Sequence, residues 1–296
     1  MAFQDDYLHH VINSKLFSDP ELAALCSRQL LDSHTFYINL TNLISPAYPK
    51  LATEQYDAIT WVSYSLLRTL LSIDRVVDEG KIDHLKFALF NQETATRGLV
   101  NLFGESTLFW NSYDHIKKLF FNTIEQEKIL HKSTNLNKQI FINIAKHKSI
   151  FVTLIPHMLG EMSLSNDKTK QINDSLLALH AGIQMLDDIE DFQADLENNQ
   201  LTYAAWLTQC FLERHSIDFR TVSHKDMMKY FAASGSAFRV LDLAEHQFNC
   251  ALRHITSLKL LAYEEYIQHI GLQQVNSLRA SLLSLLSRKE KENANA

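Results

Sequence analysis

Apolar residues recur at three- and four-residue intervals along most of this chain, and no recurrent alternation of apolar and polar residues appears. That period belongs to helices packed on one face. It predicts long helices over 53–79, 83–103, 107–131, 135–163 and 167–196, and shorter ones over 201–214 and 224–234. Two more long helices are expected over 236–256 and 258–288. An early helix over 20–32 opens at Asp19-Pro20, a capping residue followed by one whose missing N–H costs nothing in a first turn. Ser45-Pro46 and Pro49 mark a loop. Thr53, with Gln55 and Tyr56 behind it, opens the next helix and Gly80 closes it. Asn198-Asn199 closes the helix that begins at 167. Helices of ~25 residues are ~38 Å long, enough for several of them to surround a deep central cavity. The expected fold is therefore all-α, a single-domain helical bundle over 1–287 with a polar, frayed tail over 288–296.

Composition agrees with this picture. In 296 residues there are only 7 Gly and 4 Pro, and 46% hydrophobic residues supply a sizeable core. The net charge of -6 gives no electrostatic case for nucleic-acid binding. Cys26, Cys210 and Cys250 lie far apart with no zinc spacing, which fits reduced thiols in a reducing compartment. The first residues lack the basic-then-apolar layout of a signal peptide, and no apolar run approaches the ~20 residues of a membrane span. A cytoplasmic protein without a transmembrane segment is expected, with peripheral membrane contact through an apolar substrate.

One run changes the picture: Asp187-Asp188-Ile189-Glu190-Asp191-Phe192-Gln193-Ala194-Asp195. Asp187, Asp191 and Asp195 recur every four residues, which on a helix stacks carboxylates along one stripe at ~6 Å per step. Like charges at that spacing repel unless a cation joins them. A solvated acidic face would interleave Lys or Arg. Between Lys170 and Lys225, however, only Arg214 and Arg220 occur. A hard divalent ion such as Mg2+ takes oxygen ligands of this kind, with substrate phosphates completing its shell.

A second acidic pair lies upstream. Asp74 and Asp78 are again four apart, at the C-terminal end of a long apolar helix, where carboxylates oppose the macrodipole. Glu79 falls about 140° around the helix from Asp74 and need not share a ligand with it. If the two helices face each other, carboxylates converge at the mouth of an apolar cavity. Such a site suits an amphiphile with a polyanionic head. Trp61 and Tyr64, a few turns below Asp74, are candidates to line that cavity and to stabilise a carbocation by cation–π attraction.

At this level of detail the chain resembles the class I isoprenoid synthases. The segment from His180 to Asp191 resembles the second aspartate-rich motif of trans-prenyl diphosphate synthases, with Gln184 three residues before a DDxxD. Asp195-Leu196-Glu197-Asn198-Asn199-Gln200-Leu201-Thr202 resembles that family's D-L-x-x-G-x-x-T continuation. Ala145-Lys146-His147-Lys148-Ser149-Ile150-Phe151 resembles its K-T-x-x-L-F segment, which implies Lys148 as a diphosphate contact; a surface lysine is the other reading. The first motif, D-R-V-V-D, is closer to the DxxxD of squalene and phytoene synthases. Arg68, six residues before it, fits their R-x(5)-DxxxD pattern or else forms an ion pair at the edge of the core.

The resemblance implies a prenyl diphosphate substrate and Mg2+ as cofactor, three ions with substrate bound. It also implies a homodimer and metal ligation by Asp74, Asp78, Asp187, Asp188, Asp191 and Asp195. Asp74, Asp78, Asp187 and Asp191 are the expected catalytic residues, and Arg68, Lys148, Gln184, Trp61 and Tyr64 the expected substrate contacts. The chain departs from chain-elongating synthases in lacking the paired arginines after motif one and a G-K-R segment near the N-terminus. These residues hold a second diphosphate, so the expected reaction is cyclisation by a terpene synthase. The alternatives are head-to-head coupling, head-to-tail chain elongation, and a non-catalytic regulatory subunit of a heteromeric prenyl synthase.

Overall fold

The helical period carries through to the structure, but several of the long expected helices are cut into shorter ones. The computed structural model describes residues 2–78, 80–133 and 135–294, and for Ala2, Asp78, His131 and residues 288–294 it describes the backbone alone. Glu79 lies outside the described residues. In chain order the helices are α1 Ala2–Asn13, α2 Asp19–Leu25, α3 Arg28–Ser33, α4 Thr35–Ile44, α5 Thr53–Asp78, α6 His84–Phe103, α7 Thr107–Ile129 and α8 Lys138–Lys148. Then follow α9 Leu154–Met162, α10 Thr169–Glu190, α11 Phe192–Glu197, α12 Tyr203–Arg214, α13 His224–Ala233, α14 Ser236–Ile255, α15 Leu261–Ile267 and α16 Gln274–Ala294. No strand occurs among the described residues.

Each cut has a local cause. The helix expected over 20–32 breaks at Cys26-Ser27, where the Ser27 hydroxyl accepts the Leu30 N–H at 3.3 Å and starts α3. The helix expected over 135–163 breaks after Lys148. Continued helix there would drive the Pro156 ring into the Val152 carbonyl. The chain instead takes a 3-10 turn over Ile150–Thr153, and Pro156 falls in the first turn of α9. The helix expected over 258–288 is interrupted twice, by Lys259 in the left-handed region (φ 55°) and by a π-helical stretch over Gln268–Gln273. Beyond it α16 runs past residue 288 to Ala294. Helices α1 and α4 form where none was expected, and their apolar faces bury Tyr7, Val11, Phe36, Leu40 and Ile44.

The residues group into two compact units. One comprises the chain up to Asp114 together with Leu154–Thr169; the other comprises His115–Thr153 and the chain from Lys170 on. In the first, a core cluster of Tyr7, Val11, Leu25, Cys26, Leu31, Ile38, Tyr64 and Phe87 packs the N-terminal helices on α5 and α6. In the second, the Phe248 ring of α14 seats between Gly182 of α10 and Gly271 of the π-helical stretch. A Cβ at either glycine would lie 2.6 Å from the ring. The Phe192 and Phe231 rings stack at 4.1 Å and hold α11 on α13. Among the described residues no helix is long and apolar enough to cross a membrane.

Candidate metal and diphosphate site

The acidic run does not lie on one uninterrupted helix. Helix α10 ends at Glu190, Asp191 bends the chain (φ −94°, ψ 7°), and α11 begins at Phe192. The stripe nevertheless survives the bend. Asp191 N–H donates to the Asp187 carbonyl at 2.8 Å, and Asp195 N–H donates to the Asp191 carbonyl at 2.9 Å. The four-residue step that stacks the carboxylates therefore continues through both joints. Buried Phe192 anchors the bend from below. Asn199, at φ 55°, and the Gln200 N–H bonded to the Asp195 carbonyl at 2.8 Å end the segment where the sequence places its end.

Burial, with neighbouring carboxylates, raises the proton affinity of Asp187 and Asp195. Asp187 keeps one exposed side, yet burial by its surroundings, then Glu190 and Asp191, push it up to about 6. Burial, then Asp191, push Asp195 up to about 6 as well. Lys148 opposes the rise at both. Its Nζ lies 2.9 Å from Oε1 of Glu127, and its side chain is 26% exposed. Among the described residues no three His, Cys, Asp or Glu side chains gather on one metal point. The donors are nonetheless all carboxylate oxygens short of positive charge. That chemistry fits a hard divalent ion whose shell is completed by phosphate and water.

Asp188 has different surroundings from the stripe. Its side chain is buried; Oδ1 accepts the Gln184 Nε2 donor at 3.2 Å and Oδ2 accepts the Tyr203 N–H at 3.2 Å. Tyr203 is the first residue of α12, whose N-cap Thr202 accepts the Ala205 N–H at 3.3 Å. Asp188 thus satisfies an orphan donor at a helix N-terminus, where negative charge is favoured. It stands about 100° from the stripe, because successive helical residues turn by that angle. Burial pushes it up to about 7. The Gln184 amide, expected on substrate, gives one of its N–H groups to Asp188.

The remaining expected residues belong to the other unit. Asp74 is exposed in the penultimate turn of α5, and the backbone of Asp78 ends that helix. Gly80 follows at φ 66°, the left-handed closure that the sequence predicts. Arg68, Tyr64 and Trp61, expected as substrate contacts, pack with the core cluster. Arg68 is buried, donates to the Leu25 carbonyl and to the Tyr64 hydroxyl (3.3 Å), and lies 4.8 Å from the Phe87 ring centre. Tyr64 is fully buried against Tyr7, with ring centres 4.8 Å apart, and Trp61 packs edge-on to Phe3. These groups fasten the N-terminal helices to α5.

No family model matches the sequence, and no curated protein matches it. Solved structures do. A geranylgeranyl pyrophosphate synthase from Lactobacillus brevis superposes with a TM-score of 0.74 over 90% of this chain and 94% of that one, at 15% identity. A decaprenyl diphosphate synthase from Rhodobacter capsulatus gives 0.71 over 93% and 96%, at 12% identity. The chain has the fold of the trans-prenyl diphosphate synthases. A polyprenyl synthase from Caulobacter crescentus, solved with calcium and isoprenyl diphosphate, gives 0.69 over 89% and 93%, at 15% identity. Each match takes in parts of both units, so the all-α bundle expected from the sequence is the fold observed. Sequence reasoning did not find two partners in this prenyl synthase fold: Glu127, beside Lys148, and the Tyr203 N–H, beside Asp188. Nothing in the spacing of α7 marks Glu127. Thr202 is a readable N-cap that would have pointed to Tyr203.

Proposed function

We propose that this protein is a divalent-metal-dependent prenyltransferase that ionises an allylic prenyl diphosphate. The observation that carries the reading is the stripe of Asp187, Asp191 and Asp195, in a fold shared with prenyl synthases. These three carboxylates would hold Mg2+, which supplies neutralising charge for the departing diphosphate; Asp74 and Asp78, the acidic motif of the other unit, are proposed as metal ligands on the strength of their spacing. The calcium and isoprenyl diphosphate in the Caulobacter crescentus structure support a hard divalent ion with such a substrate. Lys148 would donate to diphosphate oxygens, so that positive charge is already in place where negative charge develops. The carbon–oxygen bond breaks with its electron pair leaving on the diphosphate. Apolar surroundings would keep water from the allylic cation.

Cyclisation, the reaction expected from the sequence, becomes the second reading. The similar solved structures are chain-building synthases, which favours transfer to a second substrate. The missing arginine pair and G-K-R segment still favour a single diphosphate. Incubation with Mg2+ and geranyl, farnesyl or geranylgeranyl diphosphate, with and without isopentenyl diphosphate, separates the two when products are read by mass spectrometry. The expected result is a longer diphosphate that forms only when isopentenyl diphosphate is present. Hydrocarbon from one substrate alone would assign a cyclase. An absence of diphosphate release from every substrate would leave the regulatory-subunit reading. Asp187→Ala and Asp74→Ala should each abolish turnover with helicity by circular dichroism unchanged.

A further inference from the structure

Helix α10, which carries Asp187, is tied to the C-terminal helices at successive heights. Near its start the buried Ser175 hydroxyl donates to the Ala251 carbonyl of α14 at 2.8 Å and lies 3.4 Å from the Tyr263 hydroxyl of α15. About two turns on, Gly182 lies against the Phe248 ring, and so does Gly271 of the π-helical stretch. At the last residue of α10, Glu190 Oε1 accepts the Gln274 Nε2 donor at 2.9 Å. Gln274 opens α16 directly after the π-helical stretch. A π-helical turn takes in one residue more than an α-helical one, and such turns recur at functional sites. The extra residue rotates everything beyond it by ~100° relative to uninterrupted α-helix, and that rotation decides which residue of α16 meets α10. Glu190 immediately precedes Asp191, where the chain bends and the acidic stripe crosses from α10 to α11.

We infer that Gln274 is a positioning residue for the acidic stripe: it pins the last residue of α10 and so fixes the bend at Asp191 that keeps Asp187, Asp191 and Asp195 in line. This rests on the metal- and diphosphate-binding reading above. Gln274 acts through Glu190 and touches neither metal nor substrate. With the tie in place the bend is set before the metal arrives. Without it the metal must itself order the joint between α10 and α11, and that loss of conformational freedom weakens its binding.

The test is calorimetric binding of inorganic pyrophosphate to the full chain at a series of Mg2+ concentrations. Gln274→Ala should raise the Mg2+ concentration at half-saturation about two- to fivefold, within the worth of one net hydrogen bond. In a Glu190→Ala background, Gln274→Ala should have no further effect. An unchanged or lower Mg2+ requirement in Gln274→Ala, whether or not its melting temperature falls, would overturn the role of Gln274 and leave the site intact. The same rise with Glu190 already absent would overturn that role too. A wild-type protein that binds no pyrophosphate at any Mg2+ concentration would overturn the metal-site reading and this role with it.

Discussion

Asp187 and Asp188 are neighbours in sequence with opposite surroundings. One keeps a side open to solvent on the stripe; the other is sealed beneath it, ties Gln184 to the start of α12 and caps that helix. Asp188→Ala leaves the Tyr203 N–H unsatisfied in the interior and should cost about 1–3 kcal/mol in urea unfolding, while Asp188→Asn, which keeps an acceptor, should cost less. Pyrophosphate affinity should hold in the Asn variant and fall in Asp187→Ala. His180, one face away on α10, makes a pH prediction. Its ring bonds the Leu176 carbonyl at 2.8 Å, and burial pushes it down to about 4. A depressed folded value means that the neutral ring's contribution is complete above the ordinary 6.5 and is lost as pH falls toward 4. Between pH 7 and pH 5 the wild type should lose ~2 kcal/mol relative to His180→Gln, a titration the variant lacks. Equal pH slopes for the two proteins would contradict this.

At the scale of elements, the period was legible and the joints were not. Helices α5, α6, α12, α13 and α14 fall within a residue or two of their expected bounds because caps and left-handed residues punctuate them locally. The long expected helix over 258–288 failed because its π-helical stretch answers to packing. There Gly271 presses on Phe248 from one side and Gly182 of α10 presses from the other. No local signal marks that three-way contact. It predicts that Gly182→Ala, with its new Cβ 2.6 Å from the ring, destabilises the protein through overpacking. The expected cost is ~1–3 kcal/mol. Phe248→Leu in the same chain should return part of that stability in thermal melts. Additive losses in the double variant would show that the glycine and the ring do not meet.

For the whole molecule, the same fold serves enzymes named for different product lengths, from geranylgeranyl to decaprenyl diphosphate synthases. The fold alone therefore does not fix product length. The substrate panel addresses it at this scale: isopentenyl-dependent elongation supports transfer, and hydrocarbon from one substrate supports cyclisation. Much of the fold was readable, since scarce Gly and Pro and a sustained helical period leave little besides an all-α bundle.

The helical period and the four-residue spacing of Asp187, Asp191 and Asp195 are fixed along the chain alone. Both follow from short-range geometry, in which identity and spacing fix which residues share a face. Which charged groups find partners within the protein depends on packing. Asp188 and Arg68 resemble site residues in the sequence, yet their partners are backbone groups 15 and 43 residues away. The pairing of Lys148 with Glu127, 21 residues apart on different helices, was likewise invisible along the chain. A charge buried in a core must find donors or acceptors wherever packing brings them, and packing is a property of the folded whole.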